Sequence, residues 1–164
     1  MELLAGNADI DDLDAFLDSL ARIGDEHDST VQAFDARYIA DPEQLERAVA
    51  LADRAIGRDE AIARDRAVEV LLYAAGRRQI NRAFEIGVSE GEQAVVVLVD
   101  GGDEREAIEA LSGLVEPGEW RPGDRADEGL IAGFYGITEA ERAATDASLQ
   151  ELVCERVALL VVER

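Results

Sequence analysis

Lysine is missing from these 164 residues altogether: all 16 basic residues are arginine. Cysteine, histidine, methionine and tryptophan occur once each, and proline three times. The single cysteine, Cys154, cannot close an internal disulfide, and such thiol usage points to the cytoplasm. The single histidine, His27, cannot build a zinc centre or a metalloprotease helix, so no metal and no cofactor is expected. No apolar run approaches the ~20 residues that span a bilayer. The start, Met1-Glu2-Leu3-Leu4, has neither the basic region nor the apolar core of a signal peptide, so neither a leader nor a membrane partner is expected.

Acid is abundant. There are 37 Asp and Glu, and the formal net charge is −21. Charges of one sign repel in the compact state, and at molar salt a Debye length of ~3 Å screens most of that repulsion. We read the composition as adaptation to a salt-rich cytoplasm. A GC-rich genome explains arginine in place of lysine, but not the acid excess. Acidity of this origin is a solvent property and indicates no basic partner. A hydrophobic share of 48% fits a globular chain, and the length predicts one domain over residues 1–164.

Along the chain, Met1 to Ala5 reads as a short strand and Asp9 as the cap of a first helix. Ile10, Leu13, Phe16, Leu17 and Leu20 form its apolar face, and Gly24 its stop. Val31 to Ala40 alternates Phe34, Ala36 and Tyr38, as a strand does. Asp41-Pro42-Glu43 opens a second helix, with an apolar face from Leu45 to Ile56 and an end at Gly57. A third carries Val68, Leu71, Leu72 and Ala75 and ends at Gly76. A fourth follows at once, with Ile80, Ala83 and Phe84 inward and Gly87 as stop, so the two make a helical hairpin. Gln93 to Val99 is the clearest strand; its run Val95 to Val99 predicts burial on both faces.

After the Gly101-Gly102 turn, Asp103 and Glu106 start a helix through Leu111, and a loop surrounds Trp120. Thr138 with Glu141, and Ser148 with Glu151, are capping boxes. The last helix presents Leu149, Leu152, Val153, Val157, Leu160 and Val161 as a stripe, with Leu159 and Val162 off it. Few strands and many helices predict an α+β fold with a small, mostly antiparallel sheet.

Catalytic signals are weak. Gly87-Val88-Ser89-Glu90-Gly91 has the wrong spacing and no lysine for a phosphate loop, and Gly101-Gly102 lacks the third glycine of a dinucleotide fingerprint. His27 reads as a solvated loop histidine, and Cys154 as an inert buried thiol. A small-molecule enzyme built on Gly101-Gly102 and nearby acids is disfavoured.

One charge anomaly stands out. Between Arg54 and Arg82 lie seven arginines against four acids, a balance of +3 where the chain average gives about −4. A basic island in so acidic a chain points to an anionic partner, RNA phosphate first, because Arg offers planar, bidentate recognition. The competing account pairs these arginines with acids on neighbouring helices.

The centre of the island reads Glu69-Val70-Leu71-Leu72-Tyr73-Ala74-Ala75-Gly76-Arg77-Arg78-Gln79-Ile80, followed by Ala83 and Gly87-Val88. This resembles the signature of the small kinase-binding subunit of the KEOPS complex, the PRPK-binding protein family, in its halophilic archaeal form. Val31 to Ala36, Gln93 to Val99, Phe134-Tyr135-Gly136-Ile137-Thr138 and Val153 to Leu160 resemble the family as well. Where the family often carries Gly-x-x-His-Leu, this chain has Asp41-Pro42-Glu43-Gln44-Leu45, so no role of that histidine transfers.

The resemblance implies a non-catalytic subunit of the assembly that makes threonylcarbamoyl-adenosine in tRNA. It implies direct docking on the complex's atypical kinase, contact with the other subunits through that kinase, and capture of the single-stranded 3′ CCA end of tRNA. The residues expected to hold RNA are Arg77, Arg78, Gln79, Ile80 and Arg82, with Arg64 and Arg66 approaching across the hairpin. Those expected at the kinase are Leu149, Leu152, Val153, Val157, Leu159 and Leu160. The alternative is a stand-alone single-stranded RNA-binding module with no kinase partner.

Overall fold

A computed structural model describes residues 1–162, the side chain of Val162 excepted. Four strands, β1 (Glu2–Ile10), β2 (Thr30–Asp35), β3 (Gly91–Asp100) and β4 (Glu116–Pro117), form one sheet in the order β2-β3-β1-β4. Every pairing is antiparallel. β3 is central, with Val97 between Leu4 of β1 and Ala33 of β2. Val95 to Val99 are all buried, because helices cover both faces of the sheet.

On one face lie α1 (Leu13–His27) and α5 (Glu104–Leu111), whose Phe16, Leu20, Ile23 and Leu111 meet Val95, Val97 and Val99. On the other lies α3 (Arg66–Ala75), against Phe34, Val96 and Leu98. α2 (Pro42–Gly57) and α8 (Leu149–Val162) pack on α3, and α6 (Glu128–Tyr135) packs on α8. α3 is therefore enclosed, and every residue from Glu69 to Ala75 is buried. Each large apolar side chain so buried contributes about 1.5–3 kcal/mol. The short helices α4 (Ile80–Ala83) and α7 (Glu139–Ala143) complete an α+β fold.

Much of the acid has local work. The carboxylates of Asp12, Asp41, Asp65, Asp103 and Asp127 each accept a hydrogen bond from a backbone N–H in the first turn of a helix. The hydroxyls of Thr138 and Ser148 do the same for α7 and α8.

Several sequence expectations need correction. The first helix is capped by Asp12, not Asp9, because β1 continues to Ile10 and all nine of its residues pair with β3. Ile10 belongs to the sheet core, and Leu17 faces solvent. α1 runs past Gly24 to Asp28, which closes it with φ 54°. Gly24 is needed inside the helix, since a Cβ there would lie 2.7 Å from the Ser29 carbonyl oxygen. The strand from Val31 stops at Asp35, where Ala36–Tyr38 winds into a 3₁₀ turn capped by the Asp35 carboxylate. The second arm of the hairpin is one turn of α4 that tightens into 3₁₀ over Phe84–Ile86. Ala83 and Ile86 face inward there, and Ile80 and Phe84 face out.

Candidate functional site

The hairpin turn is set by Gly76. It closes α3 with φ 62°, while the N–H groups of Gly76 and Arg77 bond to the carbonyls of Tyr73 and Leu72, each at 3.0 Å. A Cβ on Gly76 would stand 3.0 Å from the Arg156 carbonyl oxygen, so the turn is pressed against α8.

That turn aims Arg77 at the end of α6. Its Nη2 donates to the Phe134 carbonyl, and its guanidinium lies 4.7 Å from the centre of the Phe134 ring. Arg156 of α8 serves the same turn. Its Nε donates to the Tyr135 carbonyl (3.1 Å), and its Nη2 pairs with Glu141 (2.6 Å). The hydrogen bond from Arg156, with its charge, outweighs desolvation and holds the Glu141 carboxyl below its ordinary range. Two cations thus complement the negative end of α6.

Beneath lies a buried polar hub. Gln44 Nε2 donates to the Tyr135 hydroxyl (2.7 Å), which donates to the Ala74 carbonyl (2.6 Å), and Gln44 Oε1 accepts from the Ala40 N–H (2.8 Å). Burial pushes the Tyr135 phenol far above its ordinary range, so it stays neutral. A second buried acceptor, Glu69, takes the N–H groups of Ile62 (3.0 Å) and Ala63 (2.9 Å) and fixes the loop before α3.

The structure brings Arg77, Arg78, Gln79 and Arg82 around one groove with Gly76. Arg78, Gln79 and Arg82 are exposed, and Ile80 is 41% exposed beside them. Arg77 is half-buried and committed to Phe134. α4 has only four residues, so its dipole gives no basis for an anion site at its start.

Arg64 and Arg66 lie at the opposite end of α3, whose ten residues span about 15 Å. Arg64 is exposed; Arg66 is held by Asp53 (2.8 Å) and Asp100 (2.6 Å). Asp100 also meets the N-terminal ammonium at 3.4 Å. Burial pushes the Asp100 carboxyl up, but the bond and charge of Arg66, with help from the ammonium, bring it below its ordinary 3.8.

Of the apolar residues expected at the kinase, Leu149, Leu152, Val153, Val157 and Leu160 are buried within the chain itself. The surplus apolar surface of α8 is taken up by α2, α3 and α6. Leu159 alone of that set reaches solvent, 37% exposed, and it lines a groove with Gly76, Arg77 and Arg156.

His27 is the last residue of α1 rather than a loop residue, with Nδ1 3.8 Å from Glu106. Cys154 is buried, and burial, then Asp41 and Glu43, push its thiol up to about 11. The ligand atoms of Cys154, Asp41 and Glu43 lie within 4.8 Å of one another. Asp41 already caps α2 and Glu43 pairs with Arg47 at 3.0 Å, so neither acid is idle.

The hairpin, the α6 turn and all but the last two residues of α8 lie in a span shared with a known family. The description of the kinase-binding protein CGI-121 family matches residues 8–160. The chain belongs to the CGI-121 family. No curated protein matches it. The roles of three residues were not legible in the sequence. Gln44 was legible only as a polar residue on an otherwise apolar helix face, and Arg156 only as a charge in an apolar helix. Phe84 was misplaced by counting on through a helix that tightens.

Proposed function

We propose that this chain is the non-catalytic, kinase-binding subunit of a KEOPS assembly that modifies tRNA with threonylcarbamoyl-adenosine in the cytoplasm. Its direct partner is the atypical kinase, and its second ligand is the single-stranded 3′ CCA end of tRNA. The observation that carries this reading is the CGI-121 match over residues 8–160, in a chain of net charge −21 that still exposes Arg78, Gln79 and Arg82 around one groove.

In that groove the guanidinium groups of Arg78 and Arg82 take phosphates or stack on bases. Gln79 bonds a base edge, and Ile80 supplies an apolar contact. Arg77, stacked on Phe134, shapes the wall of the groove. Arg66 spends its charge on Asp53 and Asp100, so the contact set contracts to the hairpin turn, with exposed Arg64 acting only at long range. The kinase meets the solvent face of α8 around Leu159.

The test compares tRNA with intact and trimmed CCA ends, at the protein's working salt, on wild type and on a chain with Arg78→Ala and Arg82→Ala. The double variant should lose about ten-fold or more in affinity for intact tRNA, and its salt slope should fall by roughly 1–2. Equal binding by a folded double variant would sink the RNA contact set. Co-purification of RNA without a kinase would favour the stand-alone RNA-binding module.

A further inference from the structure

The sheet has two edges, and the chain treats them differently. An edge strand presents unpaired backbone N–H and C=O groups that template pairing with another chain, unless it is short, charged or interrupted by proline. β4 has all three protections, being two residues, Glu116 and then Pro117; it covers Gly6 and Asn7 of β1, and the stretches of β1 beyond it carry the charged Glu2 and Asp9. β2 has none of them from Thr30 to Phe34, a Thr-Val-Gln-Ala-Phe run without charge or proline. Among the described residues its outer side meets one backbone bridge, Phe34 to Gly87.

A groove follows this open edge, with α1 on one bank and the start of α3 on the other. Ala21, Val31 and Val68 contribute apolar surface to it. Leu17 and Phe84 stand over it, 41% and 55% exposed, and Phe84 is the most exposed large apolar side chain described. The charged groups at its rim are Asp25, Asp65 and Arg66. Arg66 is neutralised by Asp53 and Asp100, so the charge left uncompensated is negative.

We propose that the β2 edge is a docking site for an extended segment of a protein partner, which adds to the sheet as a fifth strand. The segment sets apolar side chains against Leu17 and Phe84 at alternate positions and brings arginine or lysine to Asp25 and Asp65. Main-chain hydrogen bonds supply the affinity, and the period-two side chains supply the choice of partner. A helix cannot satisfy a strand edge, and a nucleic acid is repelled by the two carboxylates. This groove shares no lining residue with the grooves at Arg78 and Leu159, so the inference stands apart from the kinase and tRNA reading.

The test selects binders from a displayed library of random linear peptides against the full chain, at a salt concentration where it is folded. Enriched peptides should alternate apolar and basic residues, and their binding should slow hydrogen exchange at the amides of residues 30–33. N-methylation of the peptide backbone at alternate residues, and Phe84→Asp in the chain, should each weaken binding about ten-fold or more. Phe84 is outside the core, so this variant should melt with wild type, and Leu17→Asp provides a second variant on the opposite bank. The proposal falls if no peptide is enriched over the Phe84→Asp chain, if enriched peptides ignore N-methylation, or if exchange slows elsewhere and not at residues 30–33. Dimerisation of the chain that Phe84→Asp abolishes would assign the edge to a second copy and overturn it equally.

Discussion

Gln44 shows how one polar side chain holds three elements in register. Its amide reaches the Ala40 N–H, the Ala74 carbonyl and the Tyr135 hydroxyl, so the entry to α2, the end of α3 and the end of α6 share one fully buried hub. Gln44→Leu nearly preserves volume but strands the Ala40 N–H and removes a donor from Tyr135. An unsatisfied buried group costs about 1–3 kcal/mol, a drop of roughly 2–10 °C in Tm for a chain of this size. Tyr135→Phe should cost less, because Gln44 still donates to the Ala74 carbonyl at 3.3 Å. Thermal melts of the two variants check the order, and a Tyr135→Phe chain less stable than Gln44→Leu would refute it.

At the scale of elements, α8 is apolar around most of its circumference, and that pattern has two physical solutions: burial inside the chain or cover by a partner. Burial inside accounts for Leu149, Leu152, Val153, Val157 and Leu160, leaving Leu159 as the solvent-facing apolar residue of the set. Leu159→Glu should therefore keep its melting curve and lose co-purification with the kinase. Leu160→Glu should unfold the chain, since a carboxylate is then placed in a core without a partner. A Leu159→Glu chain that still captures the kinase moves the docking surface off α8.

The whole molecule carries −21 in a fold where several arginines are spent in local pairs: Arg37 with Asp35, Arg66 with Asp53 and Asp100, Arg142 with Glu128, Arg156 with Glu141. The most exposed of them, Arg142 with Glu128, contributes at most about 1 kcal/mol, and the remaining carboxylates repel one another at low salt. Melting temperature should rise steeply from dilute buffer to molar KCl as the Debye length shrinks to about 3 Å. A melt indifferent to KCl would remove the reading of a salt-adapted chain.

The sequence by itself determined what depends on neighbours along the chain. Asp41-Pro42 starts α2, Gly76 ends α3, Thr138 and Ser148 cap α7 and α8, and the Val95–Val99 run forms the central strand, because caps, turns and unbroken apolar runs act over a few residues. The turn carrying Arg77, Arg78 and Gln79 was legible for the same reason. Tertiary structure alone decided what depends on distant partners. β1 extends to Ile10 because β3, some 80 residues on, offers nine residues of pairing. Arg77 joins the frame of the groove because α6 leaves carbonyls at its end, and Arg66 leaves the basic island because Asp53 and Asp100 fold onto it. Burial of α8 likewise awaited α2, α3 and α6, since helical periodicity shows that a face is apolar and not which surface covers it.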